Sequence, residues 1–225
     1  MLKGKGIISA IQKRIIECFK QCADASFFYL SGGTALAEFY LGHRKSYDLD
    51  FFTSEEKLIL PFSRILVQAL EKSGFAVTVV RRFSAFAELE VALENETTKL
   101  QLGYDSPFRF ENVAESELGI TVNNYKDITV DKLLAFFGRA EPRDAIDLFF
   151  ILKEEDIWKL LELAAQKDPG FELYWMAVAC GKVKDFPDEI RVWPVEMIKQ
   201  TTAAEIKSLF SHLSLEIMDT LRAQR

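Results

Sequence analysis

The feature that most constrains this chain is a pair of aspartates one residue apart in a short apolar run. In residues 47–52 (YDLDFF) the alternation of a strand sends Asp48 and Asp50 to one face and Leu49 and Phe51 to the other. Two carboxylates on one face repel each other unless a cation lies between them, and a hard divalent ion such as Mg²⁺ (or Mn²⁺) is the natural partner. An acid-x-acid triplet is common by chance, and taken alone it reads as two exposed acids at a strand end. Its surroundings add weight. Residues 27–30 (FFYL) read as a buried strand that stops at Ser31-Gly32-Gly33, and 34–41 as a helix with Ala35, Leu36 and Phe39 inward, closed by Gly42. A glycine pair between strand and helix frees the backbone for close approach, and the helix N-terminus offers N–H groups and a positive dipole to a phosphate. A tight turn that simply needs glycine explains the pair about as well. Taken together, the two elements set a phosphate cradle and an acid pair on adjacent strands joined by one helix, a combination suited to nucleoside triphosphate chemistry.

The rest of the chain supplies a frame for that motif. Ile8, Ile11, Ile15, Phe19 and Cys22 recur at helical spacing. Ser54 is expected to cap a further helix, with Pro61 in a first turn, an apolar face of Ile65, Leu66, Ala69 and Leu70, and Gly74 at its end. Three strand-like segments follow at 75–82, 85–93 and 98–104, with 94–97 as a hairpin connection. In the second, Phe86, Glu88 and Glu90 face one way and Ala87, Leu89 and Val91 the other. A short GITV segment stands at 119–122. From Thr129 the pattern is helical almost to the end, in segments 130–138, 142–153, 155–166, 171–180 and 202–223. The expected fold class is α+β: a mixed sheet with flanking helices over 1–128, then a helical domain over 129–225 that closes an active-site cleft. Trp158, Trp175 and Trp193 are expected in the core or in helix packing.

Two blocks carry a resemblance. The first is Leu30-Ser31-Gly32-Gly33-Thr34-Ala35-Leu36 followed by Gly42-His43-Arg44-Lys45-Ser46-Tyr47-Asp48-Leu49-Asp50-Phe51-Phe52. The second is Asp131-Lys132-Leu133-Leu134-Ala135, then Arg139, then Arg143-Asp144-Ala145-Ile146-Asp147-Leu148. Together they resemble the AbiEii/AbiGii-type toxin family, within the DNA polymerase β-like nucleotidyltransferases, over residues 27–153. The resemblance implies that Asp48 and Asp50 bind Mg²⁺ (or Mn²⁺). It implies that Ser31, Gly32, Gly33 and Thr34, with Arg44 and Ser46, hold the phosphates of an NTP. Lys132 would reach the triphosphate as a point charge, and Asp144 and Asp147 would orient Lys132 or contact base or acceptor. By helical spacing Asp147 could equally be a buried structural acid paired with Arg139.

One departure from the family pattern bears on catalysis. Many members of the wider superfamily supply a third carboxylate from a later strand, and here that position holds Gln101. Asp105, Glu88 or Glu90 could substitute, another base could serve, or catalysis could be lost. The implied reaction moves an NMP from an NTP to a hydroxyl and releases pyrophosphate. The resemblance points to a tRNA 3′ end or another RNA as acceptor, with a protein or small-molecule hydroxyl left open, and to a toxin with a cognate antitoxin protein. The alternative is a catalytically degenerate nucleotide- or protein-binding module; a phosphohydrolase with water as acceptor ranks third. A net charge of −6 argues against a generally basic surface for nucleic acid, so an RNA would use a restricted patch near Arg44, Lys45, Arg81, Arg82 and the basic first helix. Three cysteines form no disulfide or zinc framework. No stretch reads as a signal peptide or membrane span, and the chain is expected in the cytoplasm.

Overall fold

The computed structural model describes residues 1–223. They form two compact units, Met1–Tyr125 and the described residues from Lys126 onward. The first carries, in order, α1 (Ala10–Lys20), β1 (Tyr29–Ser31), α2 (Gly32–Ala35, running on as a π-helical turn over Leu36–Leu41), β2 (Leu49–Thr53), α3 (Ile59–Lys72), β3 (Ala76–Arg82), β4 (Phe86–Leu93), β5 (Glu96–Tyr104), β6 (Ala114–Glu115) and β7 (Thr121–Val122). Among the described residues the strands make one seven-stranded sheet, in the order β3-β4-β5-β2-β1-β7-β6. β1–β7 and β2–β5 are parallel, and the other neighbours are antiparallel. The fold is α+β.

Strand alternation decides what each face of this sheet does. Leu49 and Phe51 of β2 are fully buried, while Asp50 points to the opposite, partly open face. On the buried side Phe51 stacks on Phe19 of α1 at 3.8 Å between ring centroids. Phe62 of α3 stacks on Phe28 at 4.2 Å and meets Phe19 edge-on at 5.1 Å. Each such ring pair adds about 0.5–1.5 kcal/mol beyond its burial. Ser9 and Gln12 form a reciprocal capping box at the start of α1.

Several boundaries differ from those the sequence suggests. The first strand covers Tyr29–Ser31, because Ala25–Phe27 form a single 3-10 turn. Ser54 caps no helix. Backbone pairing continues past Thr53, whose carbonyl accepts from Asp105 N at 2.9 Å, so the chain turns through Glu56–Leu58 before α3 opens at Ile59. Pro61 does lie in the first turn of α3, and Gly74 follows its end at φ +87°. The β4–β5 hairpin tightens until Leu93 pairs with Glu96.

The second unit comprises most of α4 (Tyr125–Arg139), then α5 (Pro142–Ile151), α6 (Ile157–Lys167), α7 (Leu173–Lys182) and α8 (Ala203–Ala223). Phe136 and Phe210 meet at 4.8 Å between ring centroids, joining α4 to α8. Trp193 is buried and donates its indole N–H to the Pro187 carbonyl at 3.0 Å. Trp175 is 55% exposed, against expectation, because α7 turns Met176, Ala177 and Cys180 inward and leaves Tyr174 and Trp175 outside. Burial pushes the Cys180 thiol up to about 12. No helix among the described residues is long and apolar enough to cross a membrane.

Candidate active site

The site in the first unit is built around Gly32. Ser31 ends β1 in an extended conformation, and Gly32 then turns at φ +69° to open α2. A Cβ at Gly32 would run into the Asp50 carboxylate, and one at Gly33 would fall 2.6 Å from Arg44 Nη2 and 2.9 Å from Ser46 Oγ. Both glycines are thus needed for close packing, and Gly32 also for its left-handed backbone. Ser31 stands opposite Asp50 in the antiparallel β1–β2 register. The Thr34 hydroxyl donates to the Asp48 carbonyl, tying the helix to the start of the acid-bearing strand. Gln12 of α1, almost wholly buried, donates to the Ser46 carbonyl at 3.0 Å and pins the loop between α2 and β2. Ser31, Gly32, Gly33, Thr34, Arg44, Ser46, Asp48 and Asp50 therefore gather in one place. Arg44 is buried and donates to the Lys45 carbonyl at 2.9 Å, so it packs on the glycine turn and does not line an exposed basic entrance. His43 is fully buried.

The register carries polar residues on across the sheet. Asp50 pairs with Gln101 of β5, and Gln101 with Glu88 of β4, whose carboxylate accepts from Gln101 Nε2 at 3.0 Å. On the other side of Ser31, Asn123 donates to the Ser31 hydroxyl at 3.2 Å, and Arg109 Nη1 donates to Asn123 Oδ1 at 2.9 Å. The Arg109 guanidinium lies 3.9 Å from the centre of the Tyr29 ring, and the Tyr29 hydroxyl donates to Asp105 at 2.5 Å. Burial, with the Asp105 hydrogen bond and charge, raises the Tyr29 phenol well above its usual range. Asp105 is thereby engaged by Tyr29 and, at 3.6 Å, by Arg109. Tyr40 donates to the Asn123 carbonyl at 2.7 Å, and burial with the Glu111 charge pushes its phenol up to about 12. Arg109 and Asn123 escape a reading of the sequence because Arg109 lies in the irregular segment between β5 and β6 and Asn123 just past the two-residue β7, where no periodic pattern marks either.

In the second unit Lys132 Nζ lies 2.7 Å from Asp147, whose side chain is fully buried. The Arg139 fork closes on Asp144 through two bonds of 2.6 and 2.7 Å. Lys132 thus has the acid partner that would orient it, and the arginine weighed as a partner for Asp147 holds Asp144.

Among the described residues no group of three or more His, Cys, Asp and Glu side chains converges closely enough to hold a metal ion. Asp48 and Asp50 nevertheless suit Mg²⁺, which is held by one or two carboxylates with waters and substrate phosphates completing its octahedron.

Residues 14–220 match the family model described as nucleotidyl transferase AbiEii toxin, type IV toxin–antitoxin system. An uncharacterised protein of Aquifex aeolicus is 31% identical over 163 residues, covering 68% of this chain and 70% of that protein. Among solved structures, JHP933 from Helicobacter pylori superposes with a TM-score of 0.62 at 21% identity, over 94% of this chain and 92% of that one. MenT4, a nucleotidyltransferase toxin of Mycobacterium tuberculosis, superposes with a TM-score of 0.52 at 16% identity, over 91% and 82%. At these identities the structural likenesses speak for the fold.

Proposed function

The chain belongs to the AbiEii nucleotidyltransferase toxin family, and on that premise we propose that it transfers a nucleoside monophosphate from an NTP to a hydroxyl group and releases pyrophosphate, with Mg²⁺ or Mn²⁺ bound at Asp48 and Asp50. The observation that carries this reading is the close packing of Gly32 on the Asp50 carboxylate, which sets the strand-to-helix glycine turn directly beside the acid-bearing strand. Gly32, Gly33 and the Ser31 hydroxyl bind the triphosphate. Asn123 donates to Ser31 Oγ, which leaves the hydroxyl proton for a phosphate oxygen. Arg44 and Ser46 hold Gly33 from behind. Asp48 and Asp50 hold the divalent ion, which when bound neutralises charge on the attacking and leaving oxygens. Within the second unit Asp147 orients Lys132 and fixes the position of its charge. The acceptor is the 3′ end of a tRNA, and the biological setting is a toxin held by a cognate antitoxin protein.

A second reading, nucleotide binding without turnover, is favoured by one observation: a neutral Gln101 stands beside Asp50 where a carboxylate would help accept the hydroxyl proton. Calorimetry with each of the four NTPs, with and without Mg²⁺, tests the site. The expected result is metal-dependent binding that Asp48→Ala/Asp50→Ala abolishes. No binding of any NTP to the wild-type chain overturns the enzyme reading. Binding without labelled nucleotide transfer to total tRNA supports the second.

A further inference from the structure

We propose that Gln101 and Glu88 work as one unit that completes the divalent-cation site begun by Asp48 and Asp50: Gln101 presents its amide oxygen as a neutral ligand, and Glu88 is the positioning residue that turns it there. This inference rests on the metal-dependent reading above. Its basis is the row Ser31, Asp50, Gln101, Glu88, one residue from each of four neighbouring strands, in register on one face. Adjacent strands lie about 4.8 Å apart, so the Gln101 side chain rises directly beside Asp50. An ionised carboxylate only accepts hydrogen bonds. The bond from Gln101 Nε2 to Glu88 Oε2 at 3.0 Å therefore fixes which way the amide faces, and Oε1 is left on the other arm of the amide.

Glu88 itself calls for explanation. It is only 8% exposed, and a buried carboxylate is costly without opposite charge or a full set of hydrogen bonds. Its one side-chain hydrogen bond among the described residues comes from the neutral Gln101 amide. Arg81 is its register neighbour on β3, yet that side chain is exposed, and no ion pair joins the two among the described residues. A divalent cation on the far side of Gln101 supplies the missing positive charge through a polarised amide. Since no third carboxylate converges with Asp48 and Asp50 among the described residues, Glu88 acts through Gln101 and not as a ligand itself. Outer partners of this kind change metal affinity by about 10–100-fold.

The test is Mn²⁺ binding to the full chain, read from the electron paramagnetic resonance signal of free Mn²⁺, with thermal denaturation of every variant alongside. Asp50→Asn is expected to abolish binding. Glu88→Gln and Gln101→Leu are each expected to raise the Mn²⁺ Kd by about 10-fold or more. The exchange Glu88→Gln/Gln101→Glu restores an acid–amide pair with its polarity reversed and is expected to return the Kd to near the wild-type value. Wild-type affinity in both Glu88→Gln and Gln101→Leu, with Asp50→Asn inactive in binding, overturns the inference and leaves the metal reading standing. An exchange that restores thermal stability but not Mn²⁺ affinity overturns it too, since that is the signature of a purely structural pair. A wild-type chain that binds no Mn²⁺ overturns both.

Discussion

At Gly32 a left-handed backbone and a carboxylate neighbour meet at one atom. Gly32→Ala is expected to strain the backbone by about 1–2 kcal/mol and to displace Asp50 as well, since the new methyl would occupy the carboxylate's place. Thermal denaturation should show the loss of stability, and NTP calorimetry a loss of metal-dependent binding. Gly33→Ala should be milder in both, because Gly33 needs no positive φ and its methyl would meet the ends of two side chains, Arg44 and Ser46. Equal effects from the two substitutions would contradict this role for Gly32. The glycine pair and the two aspartates are legible in the sequence because each is a local pattern. What binds Gly32 to Asp50 is not, since it depends on an antiparallel register between residues 31 and 50. Gln101 can be seen in the sequence as an unusual residue, but its acid partner emerges only when β4 and β5 are aligned.

At the scale of elements, α4 and α6 are pinned by a single buried lysine. Lys167 lies 3.2 Å from Asp127 and 2.5 Å from Asp131. Burial lowers its affinity for a proton, but the charges and hydrogen bonds of Asp131 and Asp127 outweigh this and raise the pKa above the ordinary 10.5. A group whose pKa is raised on folding contributes stability that is fully present below 10.5 and is lost as pH climbs through the folded value. Urea titrations of the wild type should therefore show stability falling above about pH 10.5, and Lys167→Met should lose that component. An identical alkaline decline in the variant would exclude Lys167 as its source. The helices of this unit are legible because apolar spacing and proline punctuation mark them. Their pins are not, because a lysine near the end of one helix says nothing of which acids on another it meets. The Ser54 cap fails for a related reason: a capping residue is recognised by type, while the helix start is set by how far β2 stays paired.

For the molecule as a whole, charge limits what an RNA acceptor can use. The chain carries −6 overall, and Arg44, one of the few basic residues near the site, is buried against the glycine turn. Binding of the proposed tRNA should accordingly neutralise few phosphates. The expected slope of log affinity against log salt concentration is shallower than about −3, with each phosphate contact contributing about −0.7 to −0.9; filter binding across a salt series measures it. A steep slope would contradict the restricted basic surface. The sheet row has a different consequence, one of timing. Glu88 and Gln101 are 13 residues apart on one hairpin, whereas Ser31 and Asn123 are separated by 92. Closing the longer loop costs more chain entropy and comes slowly in folding. A chain emerging from synthesis thus exposes its glycine turn and acid pair well before Asn123 exists to hold Ser31, so the Ser31 hydroxyl is fixed only once the chain beyond β7 has joined that side of the sheet.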